Sequence, residues 1–365
     1  MRACYDRGIQ TDSSEDVSVK YLSITAAALA FGAVAAPPPA HAAVKVTLIK
    51  GPPGVNCAGA KISTVFGTNR YWGVMNCGGF AYKFWTTAGP KLHVAQLPLL
   101  PGAIGSFASD VDDQGTDVGY QLRKPAAQVP VIWPHGGPPA VLPGPAPAAA
   151  LGIDGAGGPG PIVGFAQSAG NAQAFWFNPG PFFIPPAGPS TAYDVSSQLG
   201  LYVGQTGGIA AAAIAPGPLV ALPGAGPNSV ALATNEAGLI AGHQDLGAGC
   251  GPLPLGFAFF FQWAAGPFTP VGPLPGDCTA GFEDVNIDVH TGAKTFVGYS
   301  ANAAVHSAMA LDLNPNYLLP GKVNLNAIPG FVHLTDAPGV DDFGDVLVTD
   351  GGHVPSVVYV LTHVP

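Results

Sequence analysis

The chain has 365 residues, 51 of them glycine and 39 proline, a share of about a quarter that excludes a helical bundle or coiled coil. Charged residues make up only 10% while hydrophobic ones make up 48%, which excludes a charged disordered chain. A formal charge of −9 with 13 Lys and Arg argues against nucleic acid as a partner, because phosphate recognition needs clustered cations.

In chain order, most of the early charge lies in residues 1–20, which end at Lys20. The apolar stretch 21–36 (YLSITAAALAFGAVAA), three prolines (37–39) and Ala40-His41-Ala42 follow. A cation, a short apolar core, helix-breaking prolines and small residues at −3 and −1 predict a secretory leader over 1–42, cleaved after Ala42. The alternative is a membrane anchor. The stretch before Lys20 is long for a leader, so translation starting near Val17 or Val19 fits as well. The expectation is a secreted or periplasmic protein with no membrane span after cleavage, and a single domain over 43–365.

Val44–Ile49 reads as a strand with no partner of its own, closed by the turn Lys50-Gly51-Pro52-Pro53-Gly54. Beyond the leader stand four cysteines, Cys57, Cys77, Cys250 and Cys278. An even number in an exported chain predicts disulfides. Of three possible connectivities, the local pairs Cys57–Cys77 and Cys250–Cys278 are expected. No CxxC or His partner has metal-ligand spacing, so no metal site is expected.

One unit then recurs seven times: a short apolar run containing Val-Gly, an Ala/aromatic run and a Leu-Pro-Gly. The Val-Gly landmarks are Trp72-Gly73, Val118-Gly119, Val163-Gly164, Val203-Gly204, Ala241-Gly242, Val297-Gly298 and, degenerate, Val346-Leu347. The aromatic runs follow in step, from AYKFW (81–85) and VIW (131–133) to VVYVL (357–361). In the clearest unit, Ser229–Thr234 leads to the turn Asn235-Glu236-Ala237-Gly238, a return over 239–243, a third run over 257–263 and a fourth over 267–271. Four short runs in about 46 residues describe a four-stranded antiparallel blade. The fold expected is all-β: a seven-bladed β-propeller of four-stranded antiparallel blades. The last unit lacks a fourth strand, so Val44–Ile49 is expected to pair with it and close the ring. A solenoid or a pair of β-sandwiches is the structural alternative.

Segments such as ALATNEAGLIAGHQ (231–244), AYDVSSQLGLYVGQT (192–206), VDDQGTDVGY (111–120) and NAQAFWF (171–177) resemble the extracellular HAF repeat family. The resemblance spans 55–365, although no unit holds an intact His-Ala-Phe; Gln173-Ala174-Phe175 is among the nearest. It implies an exported repeat protein with a propeller-like β fold and no assigned catalytic residues.

Candidate chemistry is sparse. Residues 155–160 (GAGGPG) satisfy GxGxxG, but a strand follows where a dinucleotide site needs a helix. Asp284-Val285-Asn286-Ile287-Asp288 alternates like a calcium loop, yet the sixth position is Val289 and the twelfth Thr295. It reads instead as a strand with Val285, Ile287 and Val289 inward and the polar set outward. Asp110, Asp112, Asp154, Asp194 and Asp341 stand before turns, where side chains bond local backbone amides. Ser168 lacks the first glycine of a nucleophile elbow, and the nine histidines form no HExxH. Trp85, Trp133, Trp176 and Trp263 recur on third strands as core, whereas Tyr71 and Trp72 are placed to stack on a sugar ring. The reading is an exported, non-catalytic scaffold or binding module, without cofactor and monomeric, for an extracellular protein or glycan. A carbohydrate-binding or carbohydrate-degrading propeller is the alternative.

Overall fold

A computed structural model describes residues 20–21 and 44–365. Outside the description lie 1–19, 22–43, 66–67, 69, 88–90, 126, 156–159, 169, 179–180, 184–187, 251–252, 264–265, 288–291, 314–320, 329, 332 and 364–365. The expected leader apart from Lys20 and Tyr21, most of the GxGxxG segment, Asp288 and Val289 fall among these residues, as does the side chain of Ser168.

Seven antiparallel sheets follow one another along the chain. Blade 1 is Cys57–Thr64, Tyr71–Cys77, Phe80–Thr86 and Leu92–Gln96. Blades 2 to 6 start at Ala103–Val111, Ala148–Ile153, Ser190–Ser196, Ser229–Thr234 and Thr279–Ile287. Blade 7 takes Leu334–Val340, Val346–Asp350 and Val357–His363 from the C-terminus, and its fourth strand is Val44–Ile49. Val44 pairs with His363 and Ile49 with Val358, antiparallel throughout, which closes the ring as expected. Lys20–Tyr21 adds a short outer strand beside Lys45 and Val46.

Each strand face packs against a neighbouring blade, so both sides of a sheet are apolar and little surface is left for charge. Accordingly seven hydrophobic clusters occupy the seven junctions. The junction of blades 4 and 5 joins Leu201 and Val203 to Ile240 and Phe259. Leucines of the Leu-Pro-Gly marks, Leu142, Leu222 and Leu274, are buried in these junctions. First-strand serines lace them further: Ser106, Ser190 and Ser229 accept the amides of Ala81, Ala174 and Ala210 in the preceding blade.

The first strand of every blade carries a register shift, a β-bulge that re-aims one side chain. It explains the Val-Gly landmark. A Cβ on Gly119, Gly164, Gly204, Gly242 or Gly298 would lie 1.9–2.1 Å from a first-strand carbonyl oxygen beside the bulge. The close approach is thus within the blade, between its first and second strands, and not at the axis. Bulge position also corrects the repeat phase: Val74-Met75, not Trp72-Gly73, matches Val118-Gly119, and Leu347-Val348 is the match in blade 7.

The tryptophans are likewise out of phase with one another. Trp133 pairs with Asp117, Trp176 with Val163 and Trp85 with Trp72, while Trp263 lies just past its strand. Trp133 is buried and donates Nε1–H to the Pro98 carbonyl at 2.8 Å. In blade 5 the second and third runs extend beyond 239–243 and 257–263 into a long hairpin, Leu239–Cys250 and Leu253–Gln262. Bulges at Asp245/Gly247 and Ala248/Cys250 absorb its extra residues. The Cys57–Cys77 disulfide is present between two paired strands. Cys278 is also disulfide-bonded; the side chain of Cys250, its expected partner, lies outside the described ones.

Gly204→Ala and Gly242→Ala are expected to cost about 3 kcal/mol or more, because the new methyl group meets backbone that cannot yield. Gly207→Ala, in an open hairpin turn at φ +58°, is expected to cost only about 1 kcal/mol. Equal losses in urea unfolding midpoints would contradict the bulge explanation.

Candidate functional site

The residue that follows the bulge is Lys61, Asp110, Gly152, Asp194, Ala233, Asp284 and Gly339 in blades 1 to 7. Together they form a belt around the axis in which aspartates and small residues alternate, and blade 1 contributes the lysine. Every belt residue is followed by Val, Ile or Thr. Each belt aspartate accepts two backbone amides, its own neighbour's and one from the next blade. Asp110 takes Val111 and Ile153, Asp194 takes Val195 and Thr234, and Asp284 takes Val285 and Val340, all at 2.8–2.9 Å. Gly152 must stay small, since a Cβ there would meet the Asp194 Cα at 2.7 Å. Asp284 is thus buried toward the axis, 2% exposed, and not on the outward polar face expected of its strand.

Lys61 Nζ sits at 2.6 Å from Asp284 Oδ1. Burial alone pulls its ammonium toward neutrality, but the carboxylates of Asp284, Asp194 and Asp110 outweigh this and hold it charged. Burial raises Asp110 well above the usual carboxylate range and Asp194 to about 6, against the pull of Lys61.

The belt stands between two axial cavities, both bordered by Lys61, Asp110 and Asp194. The larger, of about 880 Å³, opens beside the turns that leave the first strands. In those turns Asp112 accepts the amides of Gln114 and Thr116, Asn235 those of Ala237 and Leu239, and Asp341 those of Phe343 and Asp345. This is the local backbone bonding expected of Asp112 and Asp341. Asp154 differs, accepting the Ser197 amide of the next blade.

Above them stand the carboxyls of Asp113, Asp154, Glu236 and Asp342, from blades 2, 3, 5 and 7. Burial, then the charges of Asp154 and Asp342, raise Asp113 to about 6. Burial and a hydrogen-bonded Asp154 raise Glu236 to about 8. Asn286 donates to Asp342 at 2.7 Å. Buried polar atoms without a hydrogen-bond partner on residues lining this cavity include Asp112 Oδ2, Asp113 Oδ1, Ser196 Oγ, Thr234 Oγ1 and Asn235 Nδ2.

The smaller cavity, about 330 Å³, is lined by bulged residues that include Ala60, Ser109, Leu151, Tyr193 and Leu232, with Glu283 hydrogen-bonded to Asp336. Burial raises both carboxyls, Asp336 to about 6.

Tyr71 and Trp72, expected as a stacking platform, line neither cavity. Tyr71 is 7% exposed, edge-on to Phe84, so no ring face is free. Trp72 is wedged between blades, with Lys83 Nζ 4.7 Å above its ring and His135 at 4.7 Å. Lys83 is itself paired with Asp117 at 3.1 Å. Sequence reasoning missed Lys61, Asp113, Glu236 and Asp342. Aligning the units on the bulge exposes Lys61, the single cation at a position otherwise Asp, Gly or Ala.

Carboxyls whose pKa is higher folded than unfolded bind more protons in the native state, so stability falls as pH rises through the gap. With Asp112 and Asp194 at about 6, Asp341 at about 7 and Glu236 at about 8, against about 4 unfolded, the melting temperature is expected to fall from pH 5 to pH 8. A calorimetric series that rises across this window would contradict it. Lys61→Met is expected to cost about 3–5 kcal/mol at pH 8, the price of unpaired buried charge, and less at pH 5, where the carboxyls protonate. A loss independent of pH in urea titrations would exclude the charge explanation.

No family model and no curated protein matches the sequence. Among solved structures, the chain is similar to a protein assigned as TolB from Agrobacterium tumefaciens, at 9% identity over 84% of this chain and 90% of that one, with a TM-score of 0.41. It is similar to the BP39L lectin from Burkholderia pseudomallei at 14% identity, over 83% and 94% of the two chains, with a TM-score of 0.49. It is also similar to an oligogalacturonate lyase in complex with manganese, at 10% identity over 95% and 96%, with a TM-score of 0.46. All three scores lie below 0.5, and no functional assignment follows from them.

Proposed function

We propose that the protein is an exported, non-catalytic binding module or scaffold of the HAF repeat type, working outside the cytoplasm and engaging its ligand through the larger axial cavity. The observation that carries this is the set of buried, unpartnered polar atoms on residues of that cavity's wall. Such atoms cost free energy unless water or a ligand meets them. The belt and turn aspartates are already committed to backbone amides, which suits a rigid receptor better than acid–base chemistry. The Cys57–Cys77 disulfide fits an oxidising compartment. No helix among the described residues is long and apolar enough to cross a membrane. A second reading, a carbohydrate-binding propeller, is favoured by the mixture of hydroxyl, amide and carboxyl groups in the wall.

The test is a thermal-shift screen of oligosaccharides, amino acids and amines, repeated on Gln198→Trp. Gln198 is an exposed residue of the cavity lining, so the change narrows the entrance without disturbing the core. Ligands found on the wild type are expected to weaken at least tenfold and to be recovered chemically unchanged after prolonged incubation. Hits indifferent to the variant would remove the cavity as the site, and conversion of a hit would overturn the non-catalytic assignment.

A further inference from the structure

If the larger axial cavity is the ligand site, on which the proposal below the belt's mouth depends, the charges of its wall decide the chemistry of the ligand. The wall has two electrostatic tiers. In the deep tier Asp110, Asp194 and Asp284 are held by backbone amides and share Lys61. In the upper tier Asp113, Asp154, Glu236 and Asp342 face one another with no Lys, Arg or His among the described residues lining the cavity except Lys61 below. Asn286 donates to Asp342, and Asp154 accepts the Ser197 amide and shares a hydrogen bond with Glu236; none of these partners carries positive charge. Beneath this tier, Asp112 is 3% exposed and keeps an acceptor, Oδ2, without a partner.

A cavity with this composition calls for positive charge. Its form is set by spacing: no three His, Cys, Asp or Glu side chains among the described residues are grouped closely enough to hold a metal ion. The acids are instead spread over blades 2, 3, 5 and 7, so one point charge cannot serve them all. A chain of separated N–H donors can. The volume, about 880 Å³, lies in the range of small-molecule pockets.

We propose that the upper tier of the axial cavity binds a multivalent organic cation, a ligand bearing two or more ammonium or guanidinium groups, which bridges Asp113, Asp154, Glu236 and Asp342 and reaches Asp112 Oδ2 below. Charge-assisted N–H···O⁻ bonds at each end satisfy the carboxylates separately. Phe343, also in the lining, offers apolar contact to the methylene spacer between them.

The probe is spermine, titrated calorimetrically at pH 7.5 and low salt, with putrescine, calcium chloride and maltotriose as comparators. Spermine is expected to bind, putrescine at least tenfold more weakly, and calcium at equal concentration not to displace spermine. The variant Asp113→Asn/Glu236→Gln relieves like-charge crowding and so keeps the fold; it is expected to weaken spermine at least tenfold. Gln198→Lys, at an exposed rim position, is a second variant whose fixed cation is expected to weaken spermine similarly. Absent spermine binding at millimolar concentration, or affinity unchanged in both variants, overturns the proposal, as does displacement by calcium. If maltotriose binds in a way that Gln198→Trp abolishes while spermine does not bind, the cation falls and the cavity stands as the ligand site. If no ligand of the thermal-shift screen depends on Gln198, the cavity itself falls.

Discussion

The structure depends on how seven blades meet at one axis. At the belt, an aspartate of an even-numbered blade bonds its own strand and the first strand of the next blade, so that each carboxylate staples one junction: 2 to 3, 4 to 5, 6 to 7. The next blade presents Gly152, Ala233 or Gly339 at this level, and the two glycines leave room for the first strand of the blade beyond, Tyr193 and Asp194 against Gly152, Lys61 and Ile62 against Gly339. Two residue types cannot alternate around an odd ring, and the seventh position is left over. Lys61 fills it. The geometric remainder of the repeat is therefore also its electrostatic keystone, the one cation among three buried carboxyls, and a buried charge is tolerable only with such a partner.

Architecture was legible because its signals are local and repeated. The Val-Gly dipeptides report a bulge opposite, the leucines of Leu-Pro-Gly report a junction, and the missing fourth strand of the last unit reports ring closure. Phase was less legible in blades 1 and 7. There Met75 and Val348 stand where other blades have glycine, and the eye settles on a neighbouring Gly73 or on Val346-Leu347 instead. The same weakness misplaced the tryptophans: one residue of slip moves a side chain to the other face of a strand, so Trp133 and Trp176 serve different junctions.

The site was harder to read because it is made by convergence, not by motif. Asp113, Glu236 and Asp342 do share a phase, each three residues past its belt residue, but the other blades carry Thr64, Gly155, Ser197 and Ile287 there and Asp154 stands one position earlier; only the circular closure brings blades 2, 3, 5 and 7 to one mouth. The aspartates of the belt and of the turns, which also recur in phase, serve the backbone. The belt and turn acceptors thus serve folding, while Lys61, peculiar to blade 1, and the acids three residues past the belt in blades 2, 5 and 7 face the cavity of the assembled ring.

The axis is asymmetric as a consequence. A bulge turns one residue aside and aims the next inward, so successive first-strand residues are dealt to opposite sides of the belt. Ala60, Leu151, Tyr193 and Leu232 fall on one side and, with Ser109 and the Glu283–Asp336 pair, build the smaller chamber; the turn residues fall on the other. With Lys61 and its carboxyls between the chambers, a ligand approaching from the turn side meets a closed floor that is already charge-paired and walls that are not. That difference, set by the bulge and by the odd number of blades, places the turn-borne acids of an otherwise charge-poor protein around the larger opening.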